Sequence, residues 1–182
     1  KAIFGYGYNV YASPSIYSVT NLVSALGVIS SDTAGVGTAR AGLGAATYGT
    51  DKAIFAYGGI SGGNTTTYNV SNLVSNTGVV SNDTAGVGTA RLGACATGYG
   101  VDKAIFGYGL FWAPSATYWN GFNLVSNTGV VQSDAGYGAG SNKQAATATS
   151  YGIDKAIFSH GAGSAVYNEL NYVSNVGVVS RS

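Results

Sequence analysis

Three series of ionisable residues recur along this chain. Asp32, Asp83 and Asp134 form one, and Arg40, Arg91 and Lys143 another. Asp51, Asp102 and Asp154 form the third, each followed by a lysine. Only Glu169 and Arg181 stand outside a repeated position. Acid–base catalysis needs a unique constellation whose environments push pKa values apart. A charged residue present in every repeat instead answers a need that every repeat has. The arginine series is therefore expected to pair with an aspartate or with backbone carbonyls between repeats. The Asp-Lys pairs are expected in exposed turns, where such a pair contributes about 0–1 kcal/mol.

The remaining candidates for chemistry are few. His160 is the only histidine and stands where the other copies of its segment carry a tyrosine, with no acid or nucleophile evident beside it. Cys95 is the only cysteine, which excludes an internal disulfide and a cysteine metal cluster; it replaces Ala45 of the previous copy and reads as an inert core thiol. Glu169, in a shortened loop, reads as a solvated side chain. One aspartate per repeat in "SNDTAGVG" is too sparse for calcium, and "AGVGTAR" lacks the lysine and helix of a phosphate loop. Catalytic residues, metal and cofactor are all expected to be none. The sequons at Asn64, Asn69 and Asn82 are as frequent as chance gives in so Asn-, Ser- and Thr-rich a sequence.

Composition explains why the charges are so regular. Only 8% of the 182 residues are charged and the net charge is +1, so no broad field favours nucleic acid. The chain is not depleted of core formers: 46% is hydrophobic and 12% aromatic. Glycine is abundant at 29 and proline rare at two, beside plentiful Tyr, Thr, Val and Ile. That mixture suits many short strands joined by tight turns. No apolar run is long enough for a membrane span. The chain starts at Lys1 and has no methionine, which fits a processed product or a piece of a longer one.

The elements that position these residues are set by a repeat. "KAIF" begins at Lys1, Lys52, Lys103 and Lys155, at intervals of 51, 51 and 52 residues. A second tag, "NLVSNTGVVS" in the second copy, begins at Asn21, Asn72, Asn123 and Asn171. A third, "DTAGVGTAR", stands at 32–40 and 83–91 and has decayed to "DAGYGAGSNK" at 134–143. The units, counted from the first tag, are 1–51, 52–102, 103–154 and a partial 155–182. Each period reads as four short antiparallel strands: a small-residue strand such as "LGAATYG", the tag strand, "TYNVSNLVS", and "VVS". In the tag strand, Ala53, Phe55 and Tyr57 are expected on one face and Ile54 on the other. Gly27, Gly78, Gly129 and Gly177 are expected to take positive φ in the turn before the last strand.

Four strands in a period near 50 is the signature of a β-propeller blade. A hydrophobic strand, a double glycine at Gly58-Gly59 and spaced aromatics together resemble the kelch repeat, and the resemblance runs the length of the chain. The "DKAIFGYG" units are similar to kelch-like repeats of bacteriophage virion and tail-fibre proteins. The resemblance implies an all-β, kelch-like propeller, with the virion or an extracellular surface as its place. It also implies a non-enzymatic structural or adhesion module that makes protein contacts.

Counting strands leaves fifteen where four full blades need sixteen. The expectation is a closed four-bladed disc with one blade a strand short. The alternative is a segment of a longer array in which another copy or a neighbouring repeat supplies the strand. The stretch between the tag strand and "NLVS" varies most among repeats and carries aromatics: Tyr8 and Tyr11 in the first copy, Phe111, Trp112 and Trp119 in the third. A constant scaffold with varying aromatic loops suits a protein partner or, alternatively, a sugar face. Phe111 and Trp112 are expected in a loop beside Pro114. Tyr17, Tyr68, Tyr118 and Tyr167 recur and are expected to pack between blades.

Overall fold

The computed structural model describes residues 1–11, 15–60, 65–112, 115–136 and 140–181. Pro114 and Asn64 lie outside them. The chain is all-β and forms several small antiparallel sheets. The first sheet pairs β1 (Ala2–Tyr8) with β2 (Ile16–Val23). The second holds β3 (Gly44–Tyr48), β4 (Lys52–Ala56) and β7 (Ser71–Val74), with a two-stranded ribbon of β5 (Gly59–Ile60) and β6 (Thr66–Thr67) beyond them. The third holds β8 (Cys95–Tyr99), β9 (Lys103–Trp112) and β10 (Ala116–Val125). The fourth runs β11 (Thr147–Tyr151), β12 (Lys155–Ser159), β13 (Leu170–Val173) and β14 (Val179–Arg181). Each tag strand thus lies between the small-residue strand before it and the Asn-Leu-Val strand after it, except β1, which has only β2.

The fourth strand of the expected unit is a full strand only as β14. In the earlier sheets it shrinks to single bridges, Val23↔Ile29, Val74↔Val80 and Val125↔Val131. The turn before it has the glycine chemistry its sequence requires, with φ of 77°, 89°, 84° and 85° at Gly27, Gly78, Gly129 and Gly177. A serine hydroxyl locks it: Ser24, Ser75, Ser126 and Ser174 Oγ each accept the N–H of the valine four residues on.

Sheets stack because the tag strand is apolar on both faces. Ile54 and Ala56 meet Ala104, Phe106 and Val125 of the third sheet. Ile105 and Phe122 meet Ala156, Phe158 and Val173 of the fourth. The opposite faces also carry rings: Phe55 packs edge-on against Tyr6 at 5.4 Å, and Phe106 against Tyr57 at 5.5 Å. Phe158 repeats the contact against Tyr108 at 5.7 Å.

This corrects the expected placement of Tyr57 beside Ala53 and Phe55. Tyr57 has φ of 65°, as do its counterparts Tyr6, Tyr108 and His160 within a few degrees. A left-handed residue interrupts the alternation of the strand, so Tyr57 swings to the Ile54 side and reaches the next sheet. The glycine after it completes the bulge. A Cβ on Gly109 would stand 2.8 Å from the Leu92 carbonyl, at φ of 119°.

The expected closed disc is not seen among the described residues. Phe4 occupies the place of Phe55, Phe106 and Phe158, which are essentially buried, yet it is 63% exposed. Ile29 is exposed on the same sheet, where Val80 and Val131 are half-buried.

Candidate functional site

The buried charges sit where one sheet meets the next. The Arg40 guanidinium donates from Nε to the Tyr57 carbonyl (2.6 Å), from Nη1 to the Thr38 carbonyl (2.9 Å) and from Nη2 to Asn72 Oδ1 (2.6 Å). Its other side stacks on the Tyr6 ring, 4.6 Å from the centroid. Asn72 in turn donates to Asp83 Oδ1 (2.9 Å). Asp83 accepts the Thr38 N–H (3.0 Å) and hydroxyl (2.6 Å) and lies 3.8 Å from Arg40 Nη1. One loop, Gly37-Thr38-Ala39-Arg40, is therefore clamped between Tyr6 of the first sheet and the Asn72–Asp83 pair of the second.

The next junction repeats it closely. Arg91 donates to the Tyr108 carbonyl (2.8 Å), the Thr89 carbonyl (3.0 Å) and Asn123 Oδ1 (2.8 Å), and lies 3.7 Å over the Tyr57 ring. Asp134 accepts from Thr89 N–H (3.0 Å), the Thr89 hydroxyl (2.7 Å) and Asn123 (2.9 Å). These side chains satisfy one another, which is what allows an arginine to be fully buried.

The third junction uses different residues. Lys143 is over the Tyr108 ring at 4.6 Å and reaches Asn171 Oδ1 at 3.4 Å. Its carboxylate partner is Glu169 at 3.8 Å. Glu169 accepts the Ser141 N–H (2.8 Å) and hydroxyl (2.7 Å) and pairs with Arg181 at 3.0 Å. The expectation of a solvated Glu169 is thus corrected. Its side chain is 11% exposed and it performs the role of Asp83 and Asp134.

Burial alone would raise the Asp83 and Asp134 carboxyls. The hydrogen bonds from Thr38 and Asn72, and from Thr89 and Asn123, with the nearby guanidinium, leave both below their ordinary value. Glu169 is also lowered, first by the Ser141 N–H. A carboxyl depressed on folding stabilises above its unfolded pKa of about 4 and loses that contribution as pH falls through the folded value. The melting temperature is therefore expected to be flat from pH 7 to about 5 and to drop by several degrees below about pH 4. A melting curve unchanged down to pH 2.5 would refute the coupling.

Burial pushes the Cys95 thiol up to about 12, and the thiol donates to the Gly107 carbonyl at 3.4 Å. His160 Nδ1 lies 2.7 Å from Ser159 Oγ at the end of β12, and among the described residues no carboxylate is seen orienting the ring. Among the described residues no cluster of three His, Cys, Asp or Glu could hold a metal. The Asp51–Lys52, Asp102–Lys103 and Asp154–Lys155 pairs span 3.1–3.4 Å in partly exposed turns. A cleft of about 120 Å³ between these turns, lined by Thr47, Tyr99, Lys103 and Lys155, is smaller than ordinary ligand pockets of about 300–1,000 Å³.

The aromatics of the variable stretch lie at hairpin ends. Tyr8 ends β1 at 68% exposed, and Tyr11 follows at 96%. Phe111 and Trp112 extend β9 and Trp119 lies within β10, which corrects the expected loop. The hairpin lengthens because Thr117↔Phe111 and Tyr118↔Leu110 pair across it. Trp112 is half-exposed, while Phe111 and Trp119 pack edge-on at 5.9 Å. Tyr17, Tyr68, Tyr118 and Tyr167 are only half-buried. Tyr6, Tyr57 and Tyr108, which the bulge turns across, do pack between sheets, as do the buried Tyr48 and Tyr99.

No family model matches the chain, and no curated protein sequence is similar to it. Among solved structures it is similar to YjhT, with a TM-score of 0.68 and 15% identity over 91% of this chain and 52% of that one. At that identity the likeness is one of fold. The chain spans about half the length of YjhT.

Proposed function

We propose that the chain is a non-enzymatic structural or adhesion module, built of kelch-like propeller blades, in a virion or surface assembly. The observation that carries this reading is where the charges go. Every arginine and aspartate of the repeated junctions is spent on holding one sheet to the next, and the Asp-Lys pairs lie in exposed turns. What differs from repeat to repeat is a set of exposed aromatic hairpin ends, Tyr8, Tyr11 and Trp112. Rigid strands that present tyrosine and tryptophan suit protein contacts.

The exposed Trp112 also supports a second reading, a carbohydrate-binding module in which ring faces stack on sugars. A glycan array separates the two. The structural reading expects no sugar bound above background. Selective capture of one glycan class, weakened at least tenfold by Trp112→Ala with an unchanged melting curve, would replace it.

A further inference from the structure

Among the described residues the junction between sheets appears three times with both halves and once with only one. The donating half is a loop: Gly37-Thr38-Ala39-Arg40, Gly88-Thr89-Ala90-Arg91, and Gly140 to Lys143. The accepting half is an asparagine and a carboxylate on the following sheet. The first sheet has this half too. Asn21 Nδ2 donates to the Ser30 carbonyl (3.2 Å) and to Asp32 Oδ1 (2.8 Å). Asn72 does the same to Ser81 (3.0 Å) and Asp83 (2.9 Å), and Asn123 to Gln132 (3.0 Å) and Asp134 (2.9 Å). With its amide nitrogen held this way, Asn21 Oδ1 is presented as Asn72 and Asn123 present theirs to a guanidinium.

The surroundings of this half also match a seat that is not filled by the described residues. Asn72, Asn123 and Asn171 are fully buried, whereas Asn21 is half-buried and Asp32 exposed. Phe4 is exposed, although Phe55, Phe106 and Phe158 each meet a tyrosine of the preceding sheet.

We propose that the first sheet is a receptor for a Gly-Thr-Ala-Arg loop carried by another repeat unit of this type, lying outside these 182 residues. Asp32 takes the threonine N–H and hydroxyl. Asn21 Oδ1 and the Tyr6 carbonyl take the guanidinium. Phe4 takes the incoming tyrosine. The glycine is part of the recognised motif: a Cβ on Gly37 would lie 2.3 Å from Asp83 Oδ1 and 2.6 Å from Asn72 Nδ2, and one on Gly88 2.3 Å from Asp134 Oδ1. A second copy of residues 1–182 does not fit this role, because its own three loops are seated in its own junctions. The inference deepens the protein-contact reading by naming a partner. A glycan result would overturn that reading and leave this seat untouched.

The test titrates isotope-labelled protein with the synthetic peptide Ala-Gly-Val-Gly-Thr-Ala-Arg, following amide resonances. Saturable shifts confined to Phe4, Tyr6, Thr20, Asn21 and Asp32 are expected, with a Kd on the order of 1 mM for so short a segment. Asp32→Asn and Asn21→Ala are each expected to weaken binding at least tenfold with the melting temperature unchanged. A peptide with alanine for the second glycine is expected to produce no shifts. Absence of shifts at 10 mM peptide (about ten times that Kd), or shifts that Asp32→Asn leaves intact, would overturn the proposal. Concentration-dependent self-association abolished by Asp32→Asn would overturn the identity of the partner.

Discussion

Arg91→Ala is expected to cost about 3–5 kcal/mol, a large share of a domain's ordinary margin of stability. The side chain is fully buried and donates to Tyr108, Thr89 and Asn123 while stacking on Tyr57. Truncation leaves the Tyr108 carbonyl and Asn123 Oδ1 without their charged donor, and Asp134 without the Arg91 charge that helps hold its carboxyl down. It also opens a cavity against the Tyr57 ring. Leaving buried partners unpaired is what makes such a loss large, since the net contribution of the intact bonds is modest. Arg91→Lys is expected to fall between, at about 1.5–3 kcal/mol. It keeps the charge but loses the planar fork that serves three acceptors at once. The chain contains that comparison already: Lys143, at the same place in the next junction, is seen making one donation, at 3.4 Å. Urea denaturation of both variants is the measurement. A cost below about 1 kcal/mol for Arg91→Ala would mean that apolar stacking alone joins the sheets.

How much of this was legible in the sequence depends on whether a contact recurs in register. Arg40 and Arg91 stand eight residues after Asp32 and Asp83, so their pairing with a carboxylate could be read as a series. The sequence did not show that each arginine meets the aspartate of the following repeat, 43 residues on, because spacing says nothing of which sheet is the neighbour. Glu169 escapes a comparison of repeats for a related reason. Asp83 lies eleven residues after Asn72, whereas Glu169 lies two before Asn171. The same point in space is reached from the other end of the strand, and a residue-by-residue comparison of repeats cannot align the two. The reversed side of Tyr57 has a local signal, the Tyr-Gly pair at three of the four tags with His160-Gly161 at the last, but tyrosine is rarely left-handed and strict alternation is the natural expectation. The aromatic hairpin ends were visible as variable sequence. Their extension into strands depended on cross-strand pairs that no single strand reveals.

Phe106 and Phe4 offer the second large effect, as a contrast within one motif. Both stand in "KAIFGYG". Phe106 is fully buried, edge-on to Tyr57 and beneath Gly44, where even an added Cβ would come within 2.9 Å of its ring. Phe106→Ala is expected to cost about 3–5 kcal/mol, through lost transfer energy and a cavity that two facing sheets close poorly. Phe4→Ala is expected to cost within about 0.5 kcal/mol, since most of its ring faces water. Identical sequence with unequal cost is the consequence of stacking: a tag strand is stabilised by the tyrosine of the unit before it, and β1 has none among the described residues. If a partner unit seats on the first sheet, Phe4→Ala weakens that association while the isolated chain melts as before. Melting curves for the two variants, collected on the chain alone, decide the first point. Equal losses would show that the first sheet is packed in solution as the others are, and the exposed face described for it would have to be abandoned.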